Sequence, residues 1–133
     1  MSEKYYFKRV YYAWTPSNNI YDLFKAIRYL YKFLMIIETK EGNIFGCFID
    51  SKNNDKNFIF NILTEEFIYD NKLEVGIEGQ YNWNRGAINM YVKNHLYLVK
   101  DFLYSNNNKF FSNKLKMKEK KFTCRLIEVY EVN

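Results

Sequence analysis

The feature that most constrains this chain is a hairpin signal in its first half. Residues 33–39, Phe-Leu-Met-Ile-Ile-Glu-Thr, form an apolar, β-prone run, and residues 44–49 form a second. Lys40-Glu41-Gly42-Asn43 joins them. Glycine adopts the positive φ of a tight reversal without steric cost, so Gly42 predicts a turn between two antiparallel strands.

The flanking segments extend this pattern. Residues 4–14 are aromatic and β-prone, and 15–19 (Thr-Pro-Ser-Asn-Asn) break the strand and offer a helix cap in Ser17, Asn18 or Asn19. Ile20, Leu23, Phe24, Ile27, Leu30 and Tyr31 then recur at helical spacing, which predicts a long helix over 20–33. Asp22 near its start and Lys32 near its end suit the helix dipole. Strands are predicted over 58–63, 73–77 and 87–92, with a brief pairing at 67–69. Residues 95–104 fit helix and strand spacing equally. Residues 121–132 read as a closing strand with Thr123, Arg125 and Glu128 facing out. The expected class is α+β and β-rich: two packed, mainly antiparallel sheets in a sandwich, with one long N-terminal helix, in one domain over 1–133.

Charge is concentrated in one place. The chain of 133 residues has a formal net charge of +5. Residues 109–121 hold six lysines and one glutamate, and the remainder is neutral. A chain that coats nucleic acid along its whole length is disfavoured, because such affinity grows with the number of phosphates neutralised. With 48% hydrophobic and 20% aromatic residues, global disorder is excluded. Phe, Tyr, Ile, Asn and Lys make up 70 of the 133 residues. Their codons are A/T-rich, which implies an A/T-biased genome such as that of a parasite, a protist or an insect virus. Much of the Asn and Lys surplus then reads as surface drift. No apolar run is long enough to span a bilayer, and no signal peptide is legible at the start. The expected location is intracellular, in the cytoplasm.

Chemistry is sparsely represented. The single histidine, His95, can be written as a partner for Cys47 or Cys124, as in a cysteine hydrolase, but neither cysteine sits in a nucleophile turn. Two buried free thiols are the simpler reading. A structural zinc site needs about four Cys or His ligands, and only three such residues exist. Glu65-Glu66 reads as a solvated turn, and no phosphate-loop glycine motif is present. No catalytic, cofactor or metal residues are expected.

Two segments are candidates for partner contact. In a strand, Lys114, Lys116, Lys118 and Lys120 would share one face. That face could meet RNA, an acidic protein surface or an anionic membrane, or it could guard a sheet edge from aggregation. The loop with Tyr81, Trp83 and Arg85 has the composition of an interface hot spot, and its tryptophan could equally fold back onto the core.

The hairpin also carries a resemblance. Ile36-Ile37-Glu38-Thr39-Lys40-Glu41-Gly42-Asn43-Ile44-Phe45-Gly46-Cys47-Phe48 is similar to the signature of the TLDc domain, with its Thr-Lys-x-Gly turn and Phe-Gly-Gly-Tyr/Phe return strand. Phe58-Ile59-Phe60-Asn61-Ile62 resembles the family's next strand, and 122–130, ending Ile127-Glu128-Val129-Tyr130, its closing strand. Val10-Tyr11-Tyr12 and the helix over 20–33 stand where the family has its leading segment and first helix. Cys47 replaces the family's second glycine, and its central glycine-rich motif is not legible in 79–91. The resemblance implies a β-sandwich flanked by helices without an established catalytic centre. It also implies a role in oxidative protection and binding to the vacuolar-type proton pump. The expected function is a non-enzymatic protein-binding module. The alternative is a small lineage-specific subunit of a large assembly, touching RNA or an acidic partner through 109–121.

Overall fold

Backbone pairing between distant segments organises the chain. The computed structural model describes residues 4–14, 19–78, 89–112, 115–116 and 120–133. Among these, strands fall into two antiparallel sheets. The first contains, in spatial order, β1 (Phe7–Ala13), β11 (Cys124–Val132), β2 (Lys32–Thr39), β3 (Ile44–Asp50), β4 (Phe58–Asn61) and β5 (Glu66–Tyr69). The second contains β10 (Lys121–Phe122), β9 (Asn108–Phe110), β8 (Leu96–Leu98), β7 (Asn89–Val92) and β6 (Val75–Glu78). The predicted closing strand is thus two strands in different sheets.

The α+β class and its long helix are corrected. The fold is mostly β, and the helix, α1, spans only Ile20–Ile27. Its start is local chemistry: the Asn19 side chain accepts from the Asp22 amide at 3.0 Å. Its buried stripe is Ile20, Leu23 and Ile27. The Arg28 amide still reaches the Phe24 carbonyl, but the Leu30 amide turns back to Ile27. From Lys32 onward the backbone belongs to β2, which pairs with β11 on one side and β3 on the other. Two ladders satisfy this backbone and bury Phe33, which further helical turns would forfeit.

The predicted hairpin is β2 and β3, in register from Lys32 opposite Asp50 to Glu38 opposite Ile44. Gly42 has φ +90°, and the Asn43 amide donates to Thr39 Oγ1 at 3.0 Å. The turn is tied to the end of the chain: the Lys40 amide donates to the Thr123 carbonyl, and the Thr123 amide to the Glu41 carboxylate at 2.7 Å.

The sheets meet at an aromatic contact. The Phe45 ring of β3 lies 5.0 Å from Phe110 of β9 and 5.2 Å from Phe122 of β10. Met35, Ile37, Ile127 and Val129 of the first sheet share this core with Met90, Val92 and Leu98 of the second. Each such side chain contributes about 1.5–3 kcal/mol by leaving water. Asparagines bind the connections together. The Asn108 amide nitrogen lies within hydrogen-bonding distance of the Phe102, Ser105 and Phe122 carbonyls, while its oxygen accepts from Val99. Asn43, Asn57, Asn61 and Asn108 are all buried, so these four are structural and not drift.

Gly46 of β3 faces away from the core, under the Phe60 ring. A Cβ there would overlap the Met35 carbonyl oxygen and come within 2.9 Å of Phe60 Cζ. Gly46→Ala is therefore expected to cost about 2 kcal/mol or more, through the strain of overpacking. Thermal denaturation should show a midpoint lowered by about 5 °C or more. An unchanged midpoint would contradict the close packing described here.

Candidate functional site

Among the described residues, the second sheet covers one face of the first. On the other face, register pairs line up in two rows across the strands. One row runs Arg9, Tyr130, Leu34, Phe48, Phe58, Tyr69. The next runs Tyr12, Glu128, Ile36, Gly46, Phe60, Phe67. The first two positions of each row form a polar group: the Arg9 guanidinium sits 4.6 Å from the Tyr12 ring centroid, and Tyr130 Oη donates to Glu128. The remaining positions are apolar.

At β3, β4 and β5 this face is aromatic. Phe48 and Phe58 stack with centroids 5.4 Å apart. Phe58 meets Phe67 at 5.8 Å and Tyr69 at 5.9 Å, both edge-on, and Phe67 meets Tyr69 at 5.5 Å. Phe67 is 58% exposed and Tyr69 61% exposed. A hollow of about 370 Å³ lies between Phe58 and Tyr69 on one side and Phe7 and Val132 on the other. Ile62 and Leu63, in the turn between β4 and β5, are exposed as well.

The two edges of this sheet differ. β1 carries Lys8 and Arg9, the kind of charge that keeps an edge strand from pairing with another chain. β5 reads Glu66-Phe67-Ile68-Tyr69, with no charge at its three last positions, and β4 is its one strand neighbour among the described residues.

Of the seven contact residues expected from the sequence, two lie among the described residues. Tyr81, Trp83, Arg85, Lys114 and Lys118 lie outside the described residues. Lys116 and Lys120 are exposed, and neither is in a strand. Among the described residues of 109–121, strand structure is confined to the end of β9 and the start of β10. The Lys116 carbonyl accepts from Asn61 at 2.9 Å, and its amide faces Glu66, so this part of the lysine segment passes the start of β5. The sequence reading missed Phe58, Phe60, Phe67 and Tyr69 as surface residues. Their signal is present: Phe58-Ile59-Phe60 and Phe67-Ile68-Tyr69 place aromatics on the side where an antiparallel strand usually turns polar.

His95 is not paired with a thiol. Its Nε2 lies 2.7 Å from Asp70 Oδ2, joining the turn after β5 to the β7–β8 hairpin. Its Nδ1 is buried without a hydrogen-bond partner. Among the described residues, no group of three or more His, Cys, Asp or Glu is placed to hold a metal ion, and no helix is long and apolar enough to cross a membrane. Compared with known proteins, the chain matches no family model and no curated sequence.

Both cysteines are buried. Burial pushes the Cys47 thiol up to about 12, and burial with the nearby Glu41 carboxylate also raises Cys124. A thiol is nucleophilic only as thiolate, so neither is activated at neutral pH. At pH 8, iodoacetamide should label both only at the rate of global unfolding. Because the unfolded thiol ionises near about pH 8.5, the contribution of the protonated Cys47 to stability is complete below that pH. It is lost as the pH rises toward 12. Fast labelling of one thiol in the folded chain would revive a nucleophilic role.

Proposed function

We propose that this chain is a non-enzymatic protein-binding module whose contact surface is the aromatic outer face at β3, β4 and β5. The observation that carries this reading is the ring cluster of half-buried Phe58 with exposed Phe67 and Tyr69, on a sheet edge without charge at its centre. Aromatic residues on an exposed apolar patch are the usual anchors of a protein interface. The partner is a protein that adds an extended apolar strand to β5, using main-chain hydrogen bonds for affinity and the hollow beside Phe58 for one anchoring side chain. The buried, protonated thiols and the His95–Asp70 pairing support a binding role over a cysteine hydrolase.

The resemblance to the TLDc domain points to the same class of function. It makes subunits of the vacuolar-type proton pump the first partners to test. In a native pull-down with these subunits, the wild-type chain should retain them. Phe67→Asp and Tyr69→Asp should each weaken retention by about tenfold or more. Both residues are more than half exposed, so the thermal midpoint of each variant should stay within about 4 °C of wild type. No retention by the wild type removes the pump as partner. Retention unaffected by both substitutions removes the aromatic face as the contact surface.

A further inference from the structure

A second concave surface lies at the opposite end of these strands, where β1 ends and β11 begins. It is a hollow of about 380 Å³, the size class of small-ligand sites. It is lined by Tyr12 and Trp14 from the end of β1 and Tyr104 from the connection between β8 and β9. Buried Leu103 and Cys124 form an apolar floor. Lys40, in the hairpin turn, and Arg125, at the bulge that opens β11, supply two cations.

Trp14 is 63% exposed and Tyr104 60% exposed, although both border a cavity that could have collapsed onto them. A ring that stays open beside an apolar floor offers a π-face for stacking. The charges around it are unequal. Among the described residues, no carboxylate lines the hollow. Glu38 contacts Arg125 at 3.5 Å, but the Arg125 side chain remains 68% exposed and can turn to an incoming anion. The Glu41 carboxylate is turned to the Thr123 amide. Exposed Lys120 and Lys121 precede that residue in the chain and extend the positive surface. Stacking faces beside Lys and Arg are the recurring composition of sites for single-stranded nucleic acid.

We propose that this hollow binds a nucleotide unit, with the base stacked against Trp14 and Tyr104 and the phosphate held by Lys40 and Arg125. The unit is either a free mononucleotide or one residue of a single strand. An acidic peptide would use the two cations and leave the rings idle, so the open rings favour the nucleotide. The site is separate from the docking face at β5 and stands or falls without it.

Fluorescence anisotropy of a labelled single-stranded oligonucleotide, titrated with the full chain, tests this directly. Binding should weaken steeply with added salt. Trp14→Ala and Tyr104→Ala should each reduce affinity about tenfold, the scale of losing one base stack. Lys40→Ala with Arg125→Ala should reduce affinity and flatten the salt dependence. Trp14→Phe, which keeps a ring, should recover most of the loss and guards against a folding defect in Trp14→Ala. Displacement of the oligonucleotide by adenosine monophosphate identifies a mononucleotide site; persistent binding in its presence identifies a strand site. Either result upholds the proposal. It is overturned if neither probe binds at low salt. It is also overturned if both ring variants bind like wild type, or if an acidic peptide competes as well as the nucleotide.

Discussion

The structure depends on the insertion of its last long strand between two early ones. β11 lies between β1 and β2, so the first sheet is complete only when residues 124–132 have been placed. Residues 127–131 of β11 are paired on both sides, and its inward side chains Ile127 and Val129 are fully buried. The second sheet is then held against this centre by Phe45 between Phe110 and Phe122, and by the Glu41 carboxylate gripping Thr123. The closing grip and the hairpin turn are thus one unit. Pairing of such distant segments costs loop entropy before it gains contacts, which predicts slower folding than for a chain of local hairpins.

That arrangement decides which surfaces are left over. A sheet covered on one face must solvate the other, and most antiparallel sheets do so with polar side chains. Here the strands at the β1 and β11 side follow that rule through Arg9, Tyr12, Glu128 and Tyr130. The strands at the β5 side do not. Gly46 is the enabling residue, since the absence of a side chain there lets the Phe60 ring lie against the sheet and close the aromatic cluster. The scaffold is stiff where both ladders run and open where β5 ends the sheet. At the other end of the same strands, Trp14 and Tyr104 form a second open aromatic surface with different neighbours, lysine and arginine in place of phenylalanine.

Much of this was legible in the chain, for reasons that separate local from distant effects. The β2–β3 hairpin follows from Gly42 and its flanking apolar runs, and the helix start follows from Asn19; both are encoded within a few residues. The helix end is not, because Leu30 and Tyr31 continue its period, and only pairing with other strands claims the next residues: Lys32 lies opposite Asp50 of β3, and Phe33 lies opposite Ile49 of β3 and Glu131 of β11, almost a hundred positions later. The buried asparagines were equally hidden. Asn61 and Asn108 look like their compositional surplus until Lys116, Phe102 and Phe122 supply their partners. Of the contact residues expected from the sequence, Tyr81, Trp83, Arg85, Lys114 and Lys118 lie outside the described residues, and the exposed Lys116 and Lys120 do not share a strand face. The aromatic face was unread because apolar residues on both sides of a short strand look like a buried strand, and only the sheet order places β5 at an edge.

The fold is a centre of three paired strands, β2, β3 and β11, presenting an open aromatic edge. Native-state hydrogen exchange resolved by residue tests it most directly. The slowest amides should lie in β2, β3 and β11 and exchange together, at the free energy of global unfolding. The outward-facing amides of Glu66–Tyr69 in β5 should exchange measurably faster, through local opening. If the β11 amides exchange as readily as those of β5, the inserted strand is not the element that holds the fold, and the account is wrong at its base.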